Sequence, residues 1–269
     1  MKFRRFFKII TVLFIGGYFS VCGYLYFNQR ALIYKADTSY ASPSAVGLTQ
    51  FREITLHTED GLTNTSWYAP ARPGKRTIIW FHGNAVSISK KSYYYRAALN
   101  AGYGVLALEY RGFSKNEGVL SESGVYADAR AAVQYLLSKN IALDDIIFIG
   151  RSLGSGVAVQ MSTEYAPFAT LLLSPYSSVA AVAQERYWYI PVSLLLKDHF
   201  DSLSKAASLQ APTLIFHGSA DTVIPVHHAQ LLYDAINTQK ELFIYEGRNH
   251  SNLSMNKIIV ALQALEEKS

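Results

Sequence analysis

Ile146-Ile147-Phe148-Ile149 runs into Gly150-Arg151-Ser152-Leu153-Gly154-Ser155-Gly156 and leaves as Val157-Ala158-Val159-Gln160-Met161. The first run reads as a short buried strand and the last as the opening of a helix, so the chain must turn sharply between them. Ser152 stands on that turn, where its hydroxyl is held clear of its own backbone. The flanking glycines permit a strained turn and a close approach of strand to helix. Behind the serine, the helix N-terminus offers unpaired N–H groups and positive potential. A bare Gly-x-Ser-x-Gly arises by chance in on the order of one chain in ten at ordinary composition. The strand and helix around it make Ser152 a candidate nucleophile. The bland alternative is a capping serine in a glycine-rich turn.

Similar apolar runs recur along the chain. Strands are expected at 52–57, 63–68, 77–81, 105–109, 146–149, 169–173, 213–217 and 242–245. Helical patterns lie at 87–100, 122–138, 153–164, 226–236 and 251–267. A hairpin followed by repeated β-α units implies a mostly parallel central sheet with helices on both faces. The segment 174–208 breaks the alternation. It is aromatic and not strand-like, and is expected to form a small helical lid over the C-terminal ends of the strands, where sites form in such sheets.

Ile9–Phe27 holds 19 residues without a charge, about enough to span a bilayer's hydrocarbon core. Lys2, Arg4, Arg5 and Lys8 precede it, and no acidic residue occurs before Asp37. The favoured reading is a signal anchor over residues 1–29, with a catalytic domain over 30–269. The positive-inside bias puts the N-terminus in the cytoplasm and the domain across the membrane. A cleaved signal peptide and a lipoprotein signal using Cys22 are the alternatives; the apolar run continuing past Cys22 argues against both. Without those four cations the chain carries 21 basic and 20 acidic residues, so no basic stripe is left for nucleic acid. No sequence feature sets an oligomeric state.

A serine nucleophile needs a base and an orienting acid. His250 follows the last expected strand, in Gly247-Arg248-Asn249-His250-Ser251, at the same sheet edge as Ser152. Asp221 lies in the loop after the preceding strand, where a carboxylate could accept the imidazole Nδ1–H. Asp198 and Asp201 are weaker candidates for the acid, and His217 reads as a packed strand-end residue. Phe81-His82-Gly83-Asn84-Ala85 is a second strand-to-glycine turn. The backbone N–H of Asn84 is expected to pair with that of Leu153 as an oxyanion hole, with Ala85 as the alternative and His82 organising the turn. No cofactor or metal is expected.

FHGNA, LEYRGFS, GRSLGSGVA, SPYSS, FHGSADTVIP and GRNH together resemble the α/β-hydrolase superfamily. More narrowly, the chain is similar to membrane-anchored α/β-hydrolase-domain proteins related to serine aminopeptidases and acyl-protein thioesterases. The resemblance runs from about Arg30 onward and includes the apolar N-terminus. It implies the α/β-hydrolase fold, triad roles for Ser152, Asp221 and His250, and oxyanion donors at Asn84 and Leu153. It also implies a structural turn at Tyr110-Arg111-Gly112. The chain departs from the pattern with Glu109 in place of Asp, and with Gly-Arg-Asn-His where the family has Gly-x-Gly-His.

These readings converge on a serine hydrolase cleaving an ester or thioester of an apolar acyl group from a small-molecule or acylated substrate. The lid side chains Tyr176, Tyr187, Trp188, Tyr189, Ile190, Leu194, Leu195 and Leu196 suit such a group, or simply pack the lid. The alternatives are an aminopeptidase-like amidase, with Glu185, Asp198 or Asp201 holding a substrate amine, and a non-catalytic membrane-tethered binding module.

Overall fold

The apolar runs assemble into one sheet in the computed structural model, which describes residues 2–268. Its strands are β1 Arg52–His57, β2 Thr63–Ala69, β3 Thr77–Phe81, β4 Gly104–Leu108, β5 Ile146–Arg151, β6 Ala169–Leu173, β7 Thr213–Gly218 and β8 Lys240–Tyr245. Their spatial order is β1-β2-β4-β3-β5-β6-β7-β8. β1 and β2 form an antiparallel hairpin, β2 runs antiparallel to β4, and the remaining neighbours are parallel.

Alternation along the strands explains their unbroken apolar character. Ile79, Phe81, Leu106 and Phe148 enter one core, shared with α3 Glu122–Leu137, α4 Leu153–Glu164 and α8 His227–Ala235. Ile78, Trp80, Val105 and Ile147 enter a second core on the opposite face, shared with α2 Ser92–Asn100 and α9 Met255–Glu266. A strand covered on both sides has no solvent face, so its residues are mostly apolar. Each large apolar side chain so buried contributes roughly 1.5–3 kcal/mol. Ser121 starts α3 by accepting the Gly124 N–H, a cap of about 1 kcal/mol.

Two helices begin later than their periodicity suggests. A 3₁₀ turn at Ile88–Lys91 precedes α2. Before α9, the Asn252 side chain accepts the Asn249 N–H at 2.8 Å and holds that stretch as a loop. Local side-chain hydrogen bonds of this kind compete with the helix.

The N-terminal helix α1, Lys2–Ile33, is longer than the uncharged stretch alone. It exposes Phe14, Phe19 and Phe27 and is long and apolar enough to cross a membrane. Beyond β6 the chain leaves the sheet for three short helices, α5 Val179–Arg186, α6 Val192–Leu195 and α7 Leu203–Ala206. This segment packs against α1. Cys22 clusters with Ile190 and Val192, and the Arg30 Nε donates to Asp198 at 3.0 Å.

Candidate active site

The site grows from the β5–α4 turn. Ser152 adopts φ 51° and ψ −120°, a left-handed conformation that a residue with a side chain enters only at a cost, of order 1–3 kcal/mol. Its backbone N–H donates to the Leu173 carbonyl at 2.9 Å, and its carbonyl accepts from the Ser155 N–H and hydroxyl. Glycine is required around it. A Cβ on Gly154 would lie 2.1 Å from the Phe81 carbonyl oxygen, and one on Gly150 would lie 2.3 Å from that of Gly154. Without side chains there, α4 starts against the ends of β3 and β5.

His250 reaches this turn from the loop after β8. Its Nε2 lies 3.0 Å from the Ser152 Oγ, and its Nδ1 lies 2.7 Å from Asp221 Oδ2. Asp221 is buried in the loop after β7, where Oδ1 accepts the N–H groups of Val223 and Ile224, each at 2.9 Å. Burial acts to raise its pKa, but the hydrogen bonds from His217, His250 and Ile224 prevail and hold it well below the usual carboxylate range. A carboxylate so held accepts the Nδ1–H of His250 and leaves Nε2 free to accept the serine proton.

His217, expected only to pack, has a further contact. Fully buried, it places Nε2 2.9 Å from the Ile224 carbonyl and 3.4 Å from Asp221 Oδ2. It meets the same Asp221 oxygen as His250 does. Its position four residues before Asp221 is the one signal the sequence carries for this.

The second turn lies beside the first. A Cβ on Gly83 would lie 3.2 Å from that of Ser152, so the β3 turn is in contact with the serine. Among the described residues, no hydrogen bond uses the backbone N–H of Asn84 or of Leu153, whereas that of Ala85 donates to Asn84 Oδ1. Leu153 is the first residue of α4, so its N–H has no acceptor within the helix. The Asn84 side chain spans to the end of α1, donating to the Ile33 carbonyl and accepting the Lys35 N–H. His82 holds the turn with Nδ1 2.7 Å from the Gly83 carbonyl and Nε2 3.2 Å from Glu109. Glu109 also accepts from Ile88 N–H and the Ser114 hydroxyl, so the family departure serves this turn and not the triad positions.

Comparisons with known proteins give the family and the fold. The family model described as serine aminopeptidase, S33, matches residues 72–200 and 192–255. This chain belongs to that family. As an α/β-hydrolase it also resembles an uncharacterized protein of Mycobacterium tuberculosis, 31% identical over 248 residues, 91% of this chain and 88% of that protein. Alpha/beta hydrolase domain-containing protein 17C of Xenopus tropicalis is 28% identical over 228 residues, 82% of this chain and 70% of that protein. The fold is shared with the esterase Pf2001 of Pyrococcus furiosus, at TM-score 0.66 and 19% identity over 87% of this chain and 95% of that one. An alpha-beta hydrolase of Vibrio vulnificus matches at TM-score 0.68 and 20% identity over 87% and 88%.

In this α/β-hydrolase the three other carboxylates singled out in the sequence have partners of their own. Asp198 takes Arg30 and the Glu122 N–H, and Asp201 caps Ser204. Glu185 meets His227 at 2.9 Å and His228 at 3.4 Å. Those three donor atoms lie within 4.8 Å of one another and are the described group that could hold a metal; they join α5 to α8. Burial and then the neighbouring Arg151 charge lower the Lys91 pKa.

Proposed function

We propose that this chain is a serine hydrolase that cleaves esters or thioesters of apolar acyl groups through an acyl-enzyme. The observation that carries this reading is the hydrogen-bonded line Ser152 Oγ, His250 Nε2, His250 Nδ1, Asp221 Oδ2. His250 takes the Ser152 proton as the oxygen attacks the acyl carbon. Asp221 stabilises the imidazolium that results. The oxyanion is received by the N–H groups of Asn84 and Leu153; the occupied N–H of Ala85 favours Asn84 in that role. His250 then protonates the leaving alcohol or thiol, and finally activates the water that hydrolyses the acyl-enzyme.

Two observations weigh against the other readings. An amidase that holds a substrate amine needs a free carboxylate, whereas Glu185, Asp198 and Asp201 each have partners within the chain. A binding module has no use for a strained serine aligned on a base, because strain persists only where the surroundings enforce it. Turnover of p-nitrophenyl esters, acyl-thioesters and aminoacyl anilides tests the assignment. Esters or thioesters are expected to lead, with Ser152→Ala lowering kcat by on the order of 10⁴-fold or more. Preference for the anilides would overturn the acyl reading.

The apolar α1 serves as a single-pass anchor, with its basic N-terminal flank in the cytoplasm and residues 30–269 as the catalytic domain on the other side. Protease protection in sealed inside-out vesicles is expected for the domain. Digestion there would place it in the cytosol and contradict the charge argument.

A further inference from the structure

We propose that the exposed aromatic knuckle of the lid, Tyr187, Trp188 and Tyr189 with Leu194 beside it, seats in the lipid interface next to α1. Lid and anchor then engage the membrane as one body. The proposal rests on the reading of α1 as a membrane anchor, and deepens it by naming the surface that faces the lipid.

Contacts along α1 fix the lid's height on the helix. Tyr18 Oη donates to the Tyr189 carbonyl at 2.9 Å. Cys22 packs with Ile190 and Val192, and Leu25 borders the same cluster. Gln29, itself buried, donates to the Leu195 carbonyl at 3.0 Å and accepts the Lys197 N–H at 2.6 Å. Arg30 pairs with the buried Asp198. The lid therefore follows α1 from Tyr18 to Arg30, a rise of ~18 Å.

Arithmetic on the helix brings the lid to the lipid. The apolar helix covers 31 residues, Phe3–Ile33, or ~46 Å, against ~30 Å of hydrocarbon. If the hydrocarbon begins at Phe3, with Arg4, Arg5 and Lys8 reaching back to the cytoplasmic headgroups, about 20 residues carry it to Cys22, opposite Ile190 and Val192. Centring the uncharged stretch from Ile9 to Phe27 would instead carry Tyr18, and with it Tyr189, close to the midplane, a depth at which the neighbouring Arg186 and Lys197 are costly. The first register sets the rim of the lid at the leaflet boundary.

The side chains at that rim suit such a place. Trp188 is 79% exposed and Leu194 82%, and Tyr187 and Tyr189 are about half exposed. Aromatic residues with a polar edge concentrate at the interface. The cations beside them, Arg186 and Lys197, are also exposed, and the Lys197 Nζ lies 4.2 Å from the centre of the Tyr26 ring. The lid segment also reaches the site, because Tyr176 Oη donates to the Leu153 carbonyl at 3.0 Å. Seating the lid in lipid thus places the acyl-binding side of the enzyme where acyl chains are.

The chain supplies its own reporter. Of the three tryptophans, Trp67 and Trp80 are each 2% exposed, leaving Trp188 as the one that lipid can touch. Full-length protein is reconstituted into phosphatidylcholine vesicles whose acyl chains are brominated, either close to the headgroup or near the methyl end. Carbonate extraction beforehand reports the anchor by itself. The expected result is quenching that is stronger with bromines close to the headgroup and mostly lost in Trp188→Phe. Ser152→Ala is expected to quench like wild type, which separates this outcome from the hydrolase reading. Equal quenching in wild type and Trp188→Phe overturns the proposal. So does a Trp188 emission that ignores bromine and shifts with protein concentration, which would mark a contact between copies. Release by carbonate would overturn the anchor and this proposal together.

Discussion

The Arg151 guanidinium, one residue before the nucleophile, donates from Nη2 to the backbone carbonyl of His250 at 2.7 Å. The turn that presents the serine thereby also holds the loop that presents the base. The rest of that loop is tied down by Ala220 N–H donating to the Arg248 carbonyl and Gly247 N–H donating to Ser219. Arg151→Met removes a charge-assisted bond of about 1.5–3 kcal/mol. If that loss falls on the alignment of His250, kcat for a short ester drops by about ten- to a hundred-fold with KM little changed. Arg151→Lys is expected to restore only part of it, since an ammonium lacks the planar fork. Steady-state kinetics of both variants check this, and unchanged kcat would show that the loop holds without Arg151.

The Asp221 carboxylate is held below its ordinary pKa by its hydrogen bonds, despite burial. Its unfolded value is ~3.9, so in the window below about pH 4 the unfolded state binds the proton first. Its contribution to stability is therefore complete above that window and is lost as pH falls through the depressed folded value. Asp221→Asn is expected to flatten the loss of stability between about pH 5 and pH 3, read by chemical denaturation. At neutral pH the same variant lowers kcat by on the order of 10⁴-fold, because the amide favours the wrong imidazole tautomer.

The expected strands follow the observed ones within one or two residues, and for a physical reason. The central strands, covered on both faces, are mostly apolar, and the runs end where burial ends. Ser152, Asp221 and His250 were legible because each follows a strand at the same sheet edge. Contacts between distant segments were not. Nothing in local periodicity says that Arg151 reaches His250, that His217 braces Asp221, or that α1 extends beyond its uncharged stretch to pack on the lid. α2 begins later than the periodicity predicts because Ile88–Lys91 forms a 3₁₀ turn whose spacing imitates a helix.

Arg111 lies in the turn after β4, where the resemblance implied a structural role. It donates from Nε and Nη2 to Asp128, whose side chain is fully buried, and from Nη1 to Asp60. Burial outweighs those hydrogen bonds at Asp128 and raises its pKa. Arg111→Met would strand that carboxylate and is expected to cost about 3–5 kcal/mol in denaturant unfolding. Asp128→Asn in the same background is expected to recover part of the loss.

Gly154 is expected to tolerate no side chain, since its Cβ would fall 2.1 Å from the Phe81 carbonyl oxygen. Gly154→Ala must push α4 from β3, at a cost of about 2 kcal/mol or more. A lowered Tm with weakened labelling of Ser152 is the expected outcome. A Tm equal to wild type would contradict the close helix–strand approach.

Fluorophosphonate labelling of the full-length, folded protein tests the nucleophile most directly. Wild type is expected to form one covalent adduct, located at Ser152 by peptide mass spectrometry, while Ser152→Ala forms none and His250→Ala labels far more slowly. Folded wild type that does not label, or a Ser152→Ala protein that labels as well, would contradict the account.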